Sequence, residues 1–218
     1  QAIIEPELKA MRLVNPISQE LSHMRTSLWS GLLANVVYNQ YRQTQHMKLF
    51  ESGSRFVLDE SSGQLQQEQL LEGMIVGKQG EKHWGISKKS YDFYDIKADI
   101  ETLFALTKDS HSFQFVADEH PALHPKQAAC IVREGQLVGW VGALHPGVQQ
   151  ALDIDGPILL FQLDVSKLQK AQLPRYKSIS KVPAINRDIA LIVDERLPSQ
   201  DLMTIIKSTG GDLIQNMH

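Results

Sequence analysis

Cysteine is nearly missing from this chain: Cys130 is the only one in 218 residues. A lone cysteine excludes an internal disulfide framework and fits a reducing compartment. It stands inside the apolar run Ala128-Ala129-Cys130-Ile131-Val132, so it reads as a small buried hydrophobe rather than a nucleophile. Long apolar stretches are missing too. No run approaches the roughly 20 residues that cross a bilayer. The opening Gln1-Ala2-Ile3-Ile4-Glu5-Pro6 lacks a basic region followed by a long apolar core, so no signal peptide is expected. The expectation is a cytoplasmic protein without membrane contact. A positive surplus is also missing. Lys and Arg number 22 against 25 Asp and Glu, a net charge of −3. A protein whose whole surface grips nucleic acid is usually basic, so any such contact must be local. One stretch offers it: Lys167, Lys170, Arg175, Lys177, Lys181 and Arg187 fall between Ser166 and Arg187 with no Asp or Glu among them. A solvated Lys-rich linker has the same composition.

Several motifs are absent as well. There is no Gly-x-x-x-x-Gly-Lys phosphate loop and no Gly-x-Ser-x-Gly elbow. His120 and His124 are four apart, but each precedes a proline. That disfavours the helical geometry a metal pair would use, and no third ligand is evident, so no metal site is expected. Glu5, Glu7, Asp92, Asp95, Asp99 and Glu101 could form carboxylate pairs, yet nothing fixes their partners.

What is present reads as α+β. Leu28, Leu32 and Val36, with Leu33, Val37 and Tyr41, recur at four-residue spacing and predict a helix ending near Gln43–Gln45. Strands are predicted over His46–Leu58 and Leu70–Gly77, separated by the polar loop Asp59–Gln64. The polar stretch Lys78–Ser90 carries one buried-looking Trp84. Tyr91–Thr107 carries a helical stripe, with Asp92 and Asp95 suited to its N-terminus. A short strand at Phe113–Val116 follows. A hairpin is expected next, Ala128–Arg133 and Leu137–Leu144 around Glu134-Gly135-Gln136, with His120–Pro125 as the loop leading into it. Gly139 and Gly142 suggest close backbone approach or a bulge. A short helix at Val148–Leu152 and a strand at Ile158–Val165 complete this part. Strands joined by hairpins, without a βαβα rhythm, imply a mainly antiparallel sheet flanked by helices. A boundary is expected near Leu173–Ser180. Beyond it Arg187–Val193 reads as a strand and Asp201–Ser208 as a helix, capped by Gly210-Gly211. Such a pair cannot bury its own apolar faces, so the second domain reads as cut short.

The stretch Leu49-Phe-Glu-Ser-Gly-Ser-Arg-Phe56 puts Glu51 and Arg55 on one face of a strand. They could hold a phosphorylated substrate, or form an ion pair that orders the sheet.

Several segments taken in order carry a resemblance. They are Leu13-Val-Asn-Pro-Ile-Ser18, Met24-Arg-Thr-Ser-Leu28, Gly31-Leu-Leu33, Asn39, Arg42, Leu49-Phe-Glu51, Asp92-Phe-Tyr-Asp-Ile-Lys97 with Glu101, His124-Pro125, Gly139 to Leu144-His-Pro146, Ser180-Lys-Val-Pro-Ala184 and Arg187-Asp188-Ile-Ala190. From about Leu13 onward the chain resembles the C-terminal half of the β subunit of bacterial phenylalanine–tRNA ligase. The resemblance implies a degenerate class II synthetase catalytic-like domain over 1–178. It also implies the start of a ferredoxin-like anticodon-binding domain over 179–218. ATP and Mg2+ would serve the whole enzyme, and no cofactor would bind this part.

No catalytic residue is implied. Class II enzymes clamp phosphates with two arginines, because negative charge builds there as the adenylate forms. The first would fall near Val57, two residues past Arg55. No Gly-rich stretch ending in Arg occurs near Ile158–Val165 for the second. Trp29-Ser30, Ser54 and Lys126-Gln127 depart from the family's usual Leu-Pro, Arg and Gly-Arg. The implied partners are the catalytic α subunit, in an (αβ)2 heterotetramer, and tRNA. Arg25, Asn39, Arg42, Glu51 and Arg55 are the candidate subunit-interface residues, on the sheet and the 24–43 helix. Lys177, Lys181 and Arg187 are the RNA candidates, with an ion pair to Asp188 or Glu195 as the alternative for Arg187. A stand-alone RNA-binding or ATP-dependent module remains the rival reading.

Overall fold

The computed structural model describes residues 4–19, 21–59, 63–78, 89–168, 176, 182–214 and 217. Trp84, Lys170, Arg175, Lys177 and Lys181 lie outside them. The chain divides into two compact units, residues 1–174 and 175–218.

The first unit is built on six strands: β1 (Met47–Leu58), β2 (Leu65–Val76), β3 (Phe113–Ala117), β4 (Leu123–Arg133), β5 (Gln136–Leu144) and β6 (Ile158–Asp164). Their order across the sheet is β1-β2-β6-β5-β4-β3, and every neighbouring pair is antiparallel. Helices α1 (Trp29–Gln40) and α2 (Phe93–Leu106) cover opposite faces. The alternation of strand side chains decides which residues each helix meets. Met74, Val76, Ile158 and Leu160 pack with Trp29, Leu32, Leu33 and Val36 of α1. Ile75, Leu159, Phe161 and Leu163 pack with Ile96, Ile100 and Phe104 of α2. With both faces covered, β6 is buried continuously from Ile158 to Leu163 rather than at alternate positions.

Local devices fix the ends. Asp92 and Asp95 form a capping box at the start of α2. Glu134 and Gly135 both take positive φ, 51° and 78°, the geometry that a two-residue hairpin turn demands. Gly139 faces β6 so closely that a Cβ would lie 1.9 Å from the Gln162 carbonyl oxygen. Short helices α3 (Pro146–Ala151) and α4 (Val165–Leu168) flank β6.

Three expectations are corrected. β2 begins at Leu65, not Leu70, because Leu65–Gln69 pairs along β1 in a ribbon with no second neighbour. His124 and Pro125 lie in β4 rather than in a loop. Proline is tolerated there because the register to β5 breaks between Leu123 and Ala128. In the second unit, 187–193 forms no strand; its composition suits one, but among the described residues no partner strand offers a ladder. That unit contains α5 (Ser199–Gly210).

Candidate functional site

The α1 face of the sheet changes character along its length. Where α1 covers it the side chains are apolar; further along they are polar. Glu72 of β2 and Gln162 of β6 stand opposite each other, and Gln162 Nε2 donates to Glu72 Oε1 at 2.7 Å. Ser27 Oγ donates to the same carboxylate at 3.1 Å and accepts from the Trp29 N–H. Trp29 Nε1 donates to the Phe161 carbonyl at 2.9 Å. Glu72 is fully buried, and burial raises its pKa against the pull of Gln162.

Beside this network lies a cleft of about 320 Å³. Its walls come from β1, β2, β5, β6, the 119–121 loop and residues 5–8. Arg55 projects into it. Arg55 Nε donates to Glu68 Oε2 at 2.7 Å, and Nη1 lies 3.5 Å from Glu5 Oε1. The Glu5 side chain is only 4% exposed, and its Oε2 is buried without a hydrogen-bond partner. Burial, only partly offset by Arg55, pushes the Glu5 carboxyl up to about 7. His120 packs edge-on to Trp29 and tilted against Trp140, with ring centroids 5.5 and 5.0 Å away. Burial and then Arg55 lower its pKa to about 4, so its ring is neutral at pH 7.

The charge of the lining is uneven. Glu5, Glu7, Glu68, Glu119 and Asp164 supply carboxylates; Arg55 and Lys167 supply the cations. Both cations are already committed, Arg55 as described and Lys167 to Asp164 Oδ2 at 3.2 Å and the Leu137 carbonyl at 2.6 Å. A site for a nucleoside triphosphate needs uncommitted cations aimed at its phosphates. These residues do not fit one.

Away from the cleft, residues 11–19 and 21–24 make a small hairpin arm. Its backbone bonds run from Leu13 N to Ser22 O and from Met24 N to Met11 O, both 2.8 Å. Val14 and Ile17 at its tip are 92% and 96% exposed. Residues 2–165, the arm and the whole sheet included, match the family described as the phenylalanyl tRNA synthetase beta chain CLM domain. The chain belongs to this family. It is 41% identical over 215 residues to the phenylalanine–tRNA ligase beta subunit of Aliivibrio fischeri, covering 98% of this chain and 27% of that protein. It is 41% identical over 219 residues to the Colwellia psychrerythraea beta subunit, covering 100% of this chain and 27% of the relative. The Hahella chejuensis beta subunit is 39% identical over 211 residues. The chain thus spans about a quarter of the length of these curated relatives.

Within this beta-chain domain the sequence candidates separate. Glu51 and Arg55 share a face but do not pair. Glu51 binds Arg25 Nη1 at 2.6 Å, while Arg25 Nε also donates to the Ser54 carbonyl. Arg55 turns to the cleft. Asn39 donates to the Asn35 carbonyl one turn back. Arg42 is exposed, with its guanidinium 3.5 Å above the Tyr38 ring. Arg187 is exposed, and neither Asp188 nor Glu195 pairs with it. His120 and His124 each accept from a nearby backbone N–H, of Ala122 and Lys126. Cys130 is free and buried.

Sequence reasoning passed over Glu72, Gln162 and Trp140, and it left Glu5 without a partner. One signal was readable. Glu72 interrupts Leu70-Leu71-Glu72-Gly73-Met74-Ile75-Val76, and Gln162 interrupts Ile158-Leu-Leu-Phe-Gln-Leu163. A lone polar residue inside a strand buried on both faces requires a buried partner.

Proposed function

We propose that this chain is a non-catalytic part of the β subunit of a phenylalanine–tRNA ligase, the enzyme that joins phenylalanine to its tRNA with ATP and Mg2+. In this reading the first unit is a class II catalytic-like domain that has become a scaffold. The observation that carries it is the cleft on the sheet face. Arg55, the cation nearest the place where a relative clamps phosphate, is held by Glu68 and Glu5. The surplus of carboxylates around it would repel ATP.

The scaffold would hold the catalytic α subunit in an (αβ)2 assembly in the cytoplasm. Two exposed features suit that role: the apolar arm tip at Val14 and Ile17, and Tyr38 of α1 with Tyr41 just past its end, 56% and 75% exposed. Apolar and aromatic surface of this kind is what a partner buries. The second unit, as the start of a ferredoxin-like domain, would lead toward the tRNA anticodon, with Lys177, Lys181 and Arg187 as RNA contacts.

Mixing the chain with the α subunit and measuring the mass of the product tests this. A complex is expected, weakened by Val14→Asp with Ile17→Asp. The chain alone is expected to show no phenylalanine-dependent ATP–pyrophosphate exchange. Exchange activity lost in Arg55→Ala would sink the scaffold reading.

A further inference from the structure

We propose that residues 4–9 are a detachable strap, anchored through Glu5, that lifts off the α1 face as a unit while the sheet beneath stays folded. Lifting widens the cleft, of which Glu5 to Leu8 form one wall, and bares the Glu72–Gln162 pair to water.

The strap contains neither helix nor strand. Among the described residues one backbone bond ties it to the sheet, from the Leu58 N–H to the Lys9 carbonyl, at 3.4 Å. The bond from the Leu8 N–H to the Glu5 carbonyl closes a turn inside the strap itself. Two buried side chains supply the rest of the attachment. Ile4 joins the apolar cluster of Trp29 and Leu160. Glu5 reaches Arg55 and sits beside Thr26 and Gln162. Pro6, Glu7 and Lys9 are exposed. A segment held mainly by two side chains opens at lower free energy than a strand bonded along both edges.

Charge sets how firmly Glu5 holds. The charged and titratable groups around it are Arg55 of β1, Glu68 and Glu72 of β2, Glu119 and His120 of the 119–121 loop, and Glu7 of the strap. Docked, the Glu5 carboxyl is raised by burial from 4.5 to about 7; lifted into water, it loses that shift. The docked strap therefore binds the proton more tightly. Docking is firmest below pH 4.5 and weakens about tenfold per pH unit up to 7. The His120 ring titrates in the opposite sense, so the share of Glu5 is read as a difference between variants. Arg55 keeps its bond to Glu68 when the strap lifts, so the scaffold reading stands whichever way the test falls.

The test is thiol labelling by dithiodipyridine, in the full 218-residue chain carrying Cys130→Ala. Ile4→Cys reports the strap. Leu160→Cys, buried in mid-sheet, reports global unfolding. Ile4→Cys is expected to label about a hundredfold faster than its own urea-derived unfolding constant allows. Its rate should barely change with urea, because little surface is exposed on lifting. Leu160→Cys should label only in step with global unfolding. Should Ile4→Cys fail to fold, Leu8→Cys takes its place. The ratio of strap labelling without and with Glu5→Gln should rise about tenfold from pH 5.5 to pH 6.5; the reactivity of the thiol itself cancels in that ratio. Strap labelling that tracks global unfolding overturns the proposal, and a ratio that stays flat overturns Glu5 as its anchor.

Discussion

Glu5 and His120 share the cleft and titrate in opposite senses. The Glu5 carboxyl rises from 4.5 to about 7 on folding. Its contribution to stability is therefore complete below 4.5 and lost as pH rises through 7. The His120 ring falls from 6.5 to about 4. Its contribution is complete above 6.5 and lost as pH falls toward 4. Between those limits the folded chain holds a proton on Glu5 that the unfolded chain lacks, and the unfolded chain holds one on His120. The two slopes cancel. Glu5→Gln removes one of them, so the variant should gain stability from pH 5 to pH 6 relative to the parent, by up to about 1.4 kcal/mol per pH unit. Urea unfolding at the two pH values reads it; parallel slopes would mean that Glu5 is already ionised in the fold.

At the scale of elements, the β5–β6 contact is the tightest constraint. Gly139→Ala places a methyl 1.9 Å from the Gln162 carbonyl, and backbone cannot yield as a side chain tip can. A loss of about 3 kcal/mol in urea unfolding is expected, against little change for Gly135→Asn, where positive φ is tolerated and nothing lies within 4 Å. This close approach was readable from Gly139 itself, as α1 and α2 were from their spacing. What escaped had a physical reason. Leu65-Gln-Gln-Glu-Gln69 belongs to a two-stranded ribbon, so no apolar alternation marks it. Residues 187–193 have the composition of a strand, but a strand exists only through a partner. The site was least legible because its parts, Glu5, Arg55, Glu72, His120 and Gln162, come from five separated segments. Only the register of β1, β2 and β6 brings them together.

Over the whole molecule, burial is unequal between the two units. Residues 182–200 are exposed throughout, and α5 has no buried residue. Ile158–Leu163 of β6 lies mid-sheet between β2 and β5, buried on both faces. Hydrogen exchange should reflect this. Amides of Leu70–Val76 and Ile158–Leu163 should exchange only with global opening, and those of 182–194 within seconds; strong protection in 187–193 would reveal a strand partner. The central seam has one more consequence, for assembly of the sheet. β1 zips to β2 locally, as β3 through β6 zip to one another. The two half-sheets meet only where β2 joins β6, across a separation of 90 residues between Glu72 and Gln162. Closing so long a loop is expected to be the slow event in reaching the native state. The buried amide–carboxylate pair acts there as a register check: a slip of one residue would turn Glu72 toward the apolar layer beneath α2.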